Sequence, residues 1–333
     1  MIVDHDLDVA SSLGIKPFRA KGPWWSGDLQ TLRNRILRPV TPIPGQSKRL
    51  FLDLNDGTSD KLWAMLDAPD ISADAPLVVL VHGLTGSEDS DYMRCSTAFF
   101  LRQKYRVLRL NLRGAGPSIN QCVGHYHSGC ADDIHIALNA LPKDLLDKGV
   151  FMIGFSLGGN ILTHLLANRD LAFEIKGAVT ISASIDPAGA AQRLMASRNT
   201  LYQKWLLKQM TLECLSTRSY IAPDLRKRLL RVRSVYEFDD TFTAPRNGYK
   251  DADDYYAKTS GWQIVPEINV PTLLIHAEND PWIPAKPYKL LAQKKLQKSH
   301  IQLTKNGGHV GFHSCDYRDR WYDVVAGAFF DMV

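Results

Sequence analysis

The chain has 333 residues, 45% of them apolar and 23% charged, a balance ordinary for a globular protein. A net charge of +5 is too mild and too dispersed to point to a nucleic-acid partner. No stretch approaches the roughly 20 continuous apolar residues that cross a bilayer. The start, with Asp4 and Asp6 and no basic region ahead of an apolar run, does not read as a secretory signal.

The five cysteines, Cys95, Cys122, Cys130, Cys214 and Cys315, are odd in number and include no C-x-x-C pair. A disulfide framework and a structural zinc site are therefore not expected, and a reducing compartment, the cytoplasm, is. The basic cluster Arg226-Lys227-Arg228 with Arg231 and Arg233 reads as a solvated helix face. Its sharper alternative is peripheral contact with anionic lipid.

In chain order, residues 1–45 read as an arm packed on the main body, with several prolines and a short helical pattern from Leu29 to Leu37. Its pair Trp24-Trp25 is expected to be buried in the arm's own contact, as large aromatics dominate packing, with lipid contact as the alternative. After Gln46 a hairpin is expected: Arg49–Leu54 and Lys61–Leu66 are strand-like, and Asn55-Asp-Gly-Thr-Ser between them is turn chemistry. Six continuous apolar runs follow, beginning at Pro76, Tyr105, Gly149, Gly177, Pro271 and His300. Runs without alternation are strands covered on both faces. Each is read as leading into a glycine-bearing turn and a helical stretch, so the expected fold is α/β with a mostly parallel sheet. Between Ile181 and Pro271 no such strand occurs. That stretch carries helical patterns over 188–197, 201–214 and 224–230, then the aromatic segment 236–262. The expected organisation is an arm (1–45), a core (46–184 and 263–333) and a lid inserted at 185–262, at a strand's carboxyl end, where open α/β sheets bind ligands.

The central chemical signal is Gly154-Phe155-Ser156-Leu157-Gly158, a G-x-S-x-G pattern. It follows the strand run Val150-Phe-Met-Ile and precedes the helical pattern Asn160-Ile-Leu-Thr-His-Leu-Leu, the strand–elbow–helix context that the motif requires. A serine hydroxyl is a poor nucleophile until a base removes its proton. Asn306-Gly-Gly-His309 follows the last strand run and can carry an imidazole over the sheet edge; His313 is the competitor. A metal pair made by these two histidines lacks a third ligand at suitable spacing, so no metal is expected. The imidazole needs a carboxylate on its far nitrogen. Asp280, in Glu278-Asn-Asp-Pro281 after the run Thr272-Leu-Leu-Ile-His, is the first candidate, and Glu278 is the second. Asp280 as a helix N-cap ahead of Pro281 is the structural alternative. His82-Gly-Leu-Thr-Gly86 follows another strand and suits an oxyanion hole made by the backbone N–H groups of Leu84 and Leu157. His82 would hold that loop by hydrogen bonds, and His164 would pack. From the lid, Trp205, Tyr236, Phe238, Phe242, Tyr255 and Tyr256 either line an acyl pocket or form the lid's own core.

These segments resemble the α/β-hydrolase superfamily, and most of all its YheT-like branch, related to the abhydrolase-domain lipases and esterases of animals. The matching pieces are Leu29-Gln-Thr31-Leu, His82-Gly-Leu-Thr-Gly-Ser, Asn111-Leu-Arg-Gly-Ala-Gly, His127-Ser-Gly, Gly154-Phe-Ser-Leu-Gly-Gly-Asn, Phe238-Asp-Asp-Thr-Phe-Thr-Ala-Pro, Asn279-Asp-Pro and Gly307-Gly-His. They run in family order from residue 29 to residue 309. One departure is Asp28, where these proteins often have a histidine. The resemblance implies hydrolysis of carboxylic esters, on short-chain or lipid acyl substrates, without a cofactor, through Ser156, Asp280 and His309. Thioester hydrolysis, acyl transfer and simple lipid binding use the same machinery or the same pocket. Oligomeric state is not legible.

Overall fold

In a computed structural model the structure describes residues 8–69, 75–168 and 173–333. Eight strands form one sheet: β1 (Gln46–Asp53), β2 (Lys61–Ala68), β3 (Leu77–Val81), β4 (Arg106–Leu110), β5 (Val150–Phe155), β6 (Ile175–Ile181), β7 (Thr272–Ala277) and β8 (Ser299–Thr304). The order is β1-β2-β4-β3-β5-β6-β7-β8. Pairing is antiparallel for β1–β2 and β2–β4 and parallel from β4 to β8.

Every residue of β3, β4, β5 and β7 is buried, as strands sandwiched between two helical layers must be. Alternation across the pleat sorts their side chains. Leu77, Val79 and Val81 face the core beneath the helices Ala131–Asn139 and Leu157–Asn168. Val78 and Leu80 face the core beneath Asp91–Arg102 and Trp321–Met332.

Two arginines interrupt β4 and are buried with it. Arg109 meets Asp67 of β2 through two hydrogen bonds of 2.7 and 3.1 Å and reaches the Glu88 carbonyl at 2.9 Å. Arg106 donates to the carbonyls of Ala75, Asp144 and Leu145. Each guanidinium is thus repaid for leaving water by fixed acceptors, and the first of them ties the hairpin to the parallel sheet.

Between β6 and β7 the chain is helical: Pro187–Met195, Thr200–Ser216, Pro223–Leu229 and Ala252–Lys258. The first three match the helical patterns of the sequence to within two residues, whereas Ala252–Lys258 falls in the stretch read only as an aromatic segment. Leu206, Met210, Leu229, Val235 and Phe238 belong to one buried cluster of this insertion. The arm packs along the far side of the sheet. The Ala10 N–H donates to Gln302 at 2.7 Å, Trp321 donates to the Lys16 carbonyl at 2.8 Å, and Phe18 contacts Phe312 and Trp321 edge-on. One expectation fails here. Trp25 is 67% exposed, whereas Trp24 is half-buried with Arg33 over its ring. The helix Gly27–Leu37 that follows is capped by Ser26 and buries Gly27 and Gln30, so the chain enters it with Trp25 turned to solvent. No helix among the described residues is long and apolar enough to cross a membrane.

Candidate active site

Ser156 sits between the end of β5 and the helix Leu157–Asn168 with φ of +51°, a left-handed backbone conformation that a side-chain-bearing residue adopts only under constraint. The constraint is tight packing. The Ser156 N–H donates to the Ile181 carbonyl at 2.9 Å, and its carbonyl accepts from Gly159, Asn160 and Ser184. A β-carbon at Gly158 would lie 2.3 Å from the His82 carbonyl oxygen, so only glycine lets this helix start lie against β3. The turn puts the Ser156 hydroxyl above the carboxyl edge of the sheet.

Three distant segments converge on that hydroxyl. His309 Nε2 is 3.0 Å from Ser156 Oγ, and His309 Nδ1 is 2.8 Å from Asp280 Oδ2. Asp280 is fully buried, and its other oxygen accepts from the backbone N–H groups of Trp282 (2.7 Å) and Ile283 (3.0 Å). Burial alone raises the Asp280 pKa. The neighbouring His309 imidazole, by charge and hydrogen bond, with the Ile283 amide, outweighs that and holds it below the ordinary aspartate value. The carboxylate thus caps the turn after Pro281 with one oxygen while the other faces His309. Glu278 lies apart, in a 2.5 Å ion pair with Lys289 at the surface. His313 is not in the row either. Its N–H donates to Gln30 and its ring meets Arg33 at 3.3 Å, and burial among Arg320, Arg33 and Lys21 drives its pKa far down.

The loop 82–86 borders the same hydroxyl. Its Gly83 N–H is taken by the Tyr92 hydroxyl (3.0 Å), its Thr85 N–H by the Tyr126 hydroxyl (2.7 Å) and its Gly86 N–H by the Gly83 carbonyl (3.1 Å). Among the described residues, the amide of Leu84 has no such partner within the loop. Leu157 opens its helix, so its N–H lacks an acceptor within the helix. His82 accepts the Leu112 N–H at Nε2 and donates to the Gly83 carbonyl from Nδ1, and burial lowers its pKa. It braces the loop as a neutral ring. His164 meets the Thr259 carbonyl at 3.0 Å, away from the row.

A cavity of about 460 Å³ opens on Ser156 and His309, with Leu84 and Leu157 in its wall. From the insertion, Trp205, Phe238, Tyr255 and Tyr256 line it, together with Leu194, Leu206 and Met210. Tyr236 and Phe242 are not in the wall. Phe242 is buried in the insertion's own cluster, and the Tyr236 ring rests on Tyr256 from outside. The aromatic run alternates between two faces of irregular helical turns, and composition cannot tell which face looks inward. Asp239 also lines the cavity and accepts from the Tyr256 hydroxyl at 2.7 Å; burial pushes its pKa up to about 6.

Several supporting residues escape sequence reasoning. Thr31, on the arm helix, accepts the His309 N–H at 2.8 Å, and Gly308 (φ +63°) allows that helix to come within a β-carbon's reach. The Trp282 ring lies 4.5 Å from the imidazole. Asp28 joins Arg198 (2.9 Å) and Tyr202 (3.0 Å), so the arm touches both the core and the insertion. The Leu-Gln-Thr segment carried the one available signal, for Thr31.

Fold and site together define a class. Residues 76–314 match the family model of the alpha/beta hydrolase fold, and the chain belongs to that family. Among its relatives is the YheT protein of Escherichia coli, 31% identical over 291 residues that cover 85% of this chain and 83% of that one. A monoacylglycerol lipase of Saccharomyces cerevisiae is 30% identical over 279 residues, covering 77% of this chain and 59% of the yeast protein. Among solved structures, the Pyrococcus furiosus esterase Pf2001 aligns over 95% of this chain and 97% of its own with a TM-score of 0.58 at 17% identity, a likeness of fold.

Proposed function

We propose that the protein is a serine hydrolase that cleaves carboxylic esters, with short- to medium-chain acyl or lipid acyl groups, through an acyl-enzyme intermediate. The observation that carries this reading is the hydrogen-bonded row Ser156–His309–Asp280, with spacings of 3.0 and 2.8 Å. Lipase and esterase names among the relatives point the same way. Asp280 holds the tautomer with the proton on Nδ1, which leaves Nε2 to take the Ser156 proton as Oγ attacks the ester carbonyl. The N–H groups of Leu84 and Leu157 receive the negative charge on the carbonyl oxygen. The imidazolium then protonates the leaving alcohol, and the neutral ring activates the water that releases the acid. No step calls on a metal or cofactor. Residues 185–262 act as a lid over the core (46–184 and 263–333), and the arm (1–45) braces His309 from behind. The acyl chain lies against Leu194, Leu206, Met210 and Phe238.

Two measurements test the reading. A fluorophosphonate probe should label the wild-type chain on Ser156 alone, and hydrolysis of p-nitrophenyl esters should rise from acetate to a medium chain and fall once the chain outgrows the cavity. An unlabelled Ser156 with no turnover across the series would favour a chain that only binds its ligand.

A further inference from the structure

The net charge is not dispersed after all. The segment 217–233 holds six basic residues, Arg218, Arg226, Lys227, Arg228, Arg231 and Arg233, against Asp224 alone. Its net +5 equals that of the whole chain, so the remainder is neutral. In the helix Pro223–Leu229, Leu225 and Leu229, four residues apart, face the insertion's buried cluster, and the basic side chains between them are exposed. That cluster shares Leu194, Leu206, Met210 and Phe238 with the cavity wall. Beside the charges stand two bare apolar side chains, Tyr220 (82% exposed) and Leu230 (63%). We propose that this face docks the protein on an anionic bilayer surface. The cations meet the headgroup phosphates and serines, and Tyr220 and Leu230 enter the interface. A nucleic acid would satisfy the charges but give the apolar pair nothing to enter.

The docking does not depend on chemistry at Ser156, so binding is measured on Ser156→Ala as well as on the wild type. Both should sediment with phosphatidylcholine vesicles containing 30% phosphatidylserine and leave pure phosphatidylcholine vesicles in solution. Binding should fall by on the order of 10²-fold in R226E/K227E/R228E, and several-fold in Y220A/L230A. Equal binding to both vesicles, unchanged binding of the charge variant, or a Y220A/L230A variant that binds like wild type while duplex DNA competes fully would each overturn the proposal.

A separate chain of hydrogen bonds joins the insertion to the loop 82–86. The buried Tyr126 hydroxyl accepts the Thr85 N–H at 2.7 Å and donates to Glu213 Oε2 at 2.9 Å. Glu213 sits on the insertion helix Thr200–Ser216. Its charge fixes the hydroxyl proton and turns the oxygen's lone pairs toward Thr85, the neighbour of Leu84. Resting on the function proposed above, we infer that Glu213 is a positioning residue whose helix must be seated for the Leu84 amide to face the reacting carbonyl. Glu213→Leu and Tyr126→Phe should each lower kcat by about 10- to 100-fold with KM within about twofold, and weaken a trifluoromethyl-ketone inhibitor in parallel. Glu213→Gln, which keeps an acceptor, should restore most of kcat, and the double variant should be no worse than either single one. A change confined to Tm or KM, with kcat and inhibitor affinity kept, overturns the inference. Wild-type labelling and turnover are read alongside, so failure of the hydrolase reading is seen separately.

Discussion

Ser156→Ala should lower turnover of a short-chain ester by on the order of 10⁴- to 10⁶-fold, leaving only what the oxyanion donors and substrate binding contribute. The change removes one oxygen, and among the described residues the only side-chain partner of that oxygen is His309 Nε2. The backbone bonds that hold the elbow, to the Ile181 carbonyl and from the N–H groups of Gly159, Asn160 and Ser184, do not use the side chain. The variant should therefore fold and keep substrate affinity, with a Tm at or slightly above wild type, since a strained serine loses no packing partner. Steady-state kinetics on p-nitrophenyl butyrate, with thermal melting on the same samples, checks this. A turnover within tenfold of wild type would remove Ser156 from the chemistry.

Asp280→Asn should cost on the order of 10⁴ in kcat. Asparagine fills the same volume and its oxygen can still accept the amides of Trp282 and Ile283. Its NH₂ group would then face His309 Nδ1, now separated from the carboxylate by 2.8 Å, and force that nitrogen to be the acceptor. The proton moves to Nε2, where it points at Ser156 and cannot accept from it. The loss should not be recovered by raising pH, because the wild-type carboxyl is already held below the ordinary aspartate value and the fault is a tautomer rather than a charge awaiting titration. A kcat–pH profile of the variant from pH 6 to 9 measures this. A near-normal rate would return the role to Glu278, despite its pairing with Lys289.

The two predictions rest on parts of the molecule that differ in how far sequence reaches them. Local signals sufficed where the physics is local. Unbroken apolar runs such as Leu77–Val81 and Thr272–Ala277 have one stable use, strands covered on both faces, and they became β3 and β7 of a mostly parallel sheet. Gly154-Phe-Ser-Leu-Gly158 between a strand run and a helical pattern locates the elbow, because only glycine permits that close approach of strand and helix. Glycine turns after strands mark which loops gather at the carboxyl edge, and so bring the serine, the histidine and the loop 82–86 into one region.

Pairings across that edge were beyond it. Glu278 and Asp280 are two residues apart and His309 and His313 four, so spacing leaves four carboxylate–imidazole combinations. What separates them is long-range packing: Lys289 draws Glu278 to the surface, Gln30 and Arg33 capture His313, and Thr31 pins the backbone of His309. Three of those partners, Gln30, Thr31 and Arg33, lie on the single helix of the arm, and Lys289 lies on the helix Lys286–Ala292, all far along the chain from the residues they hold. The same holds for Trp25, left in solvent by the way its helix docks, and for Tyr236 and Phe242, turned out of the cavity that Phe238 and Tyr256 enter. Backbone sterics and hydrophobic patterning act within a few residues, and the sequence by itself determined the sheet, the elbow and the edge on which Ser156 sits. Which charged and aromatic side chains meet there depends on contacts between segments that lie up to 283 residues apart, and only the tertiary structure decided it.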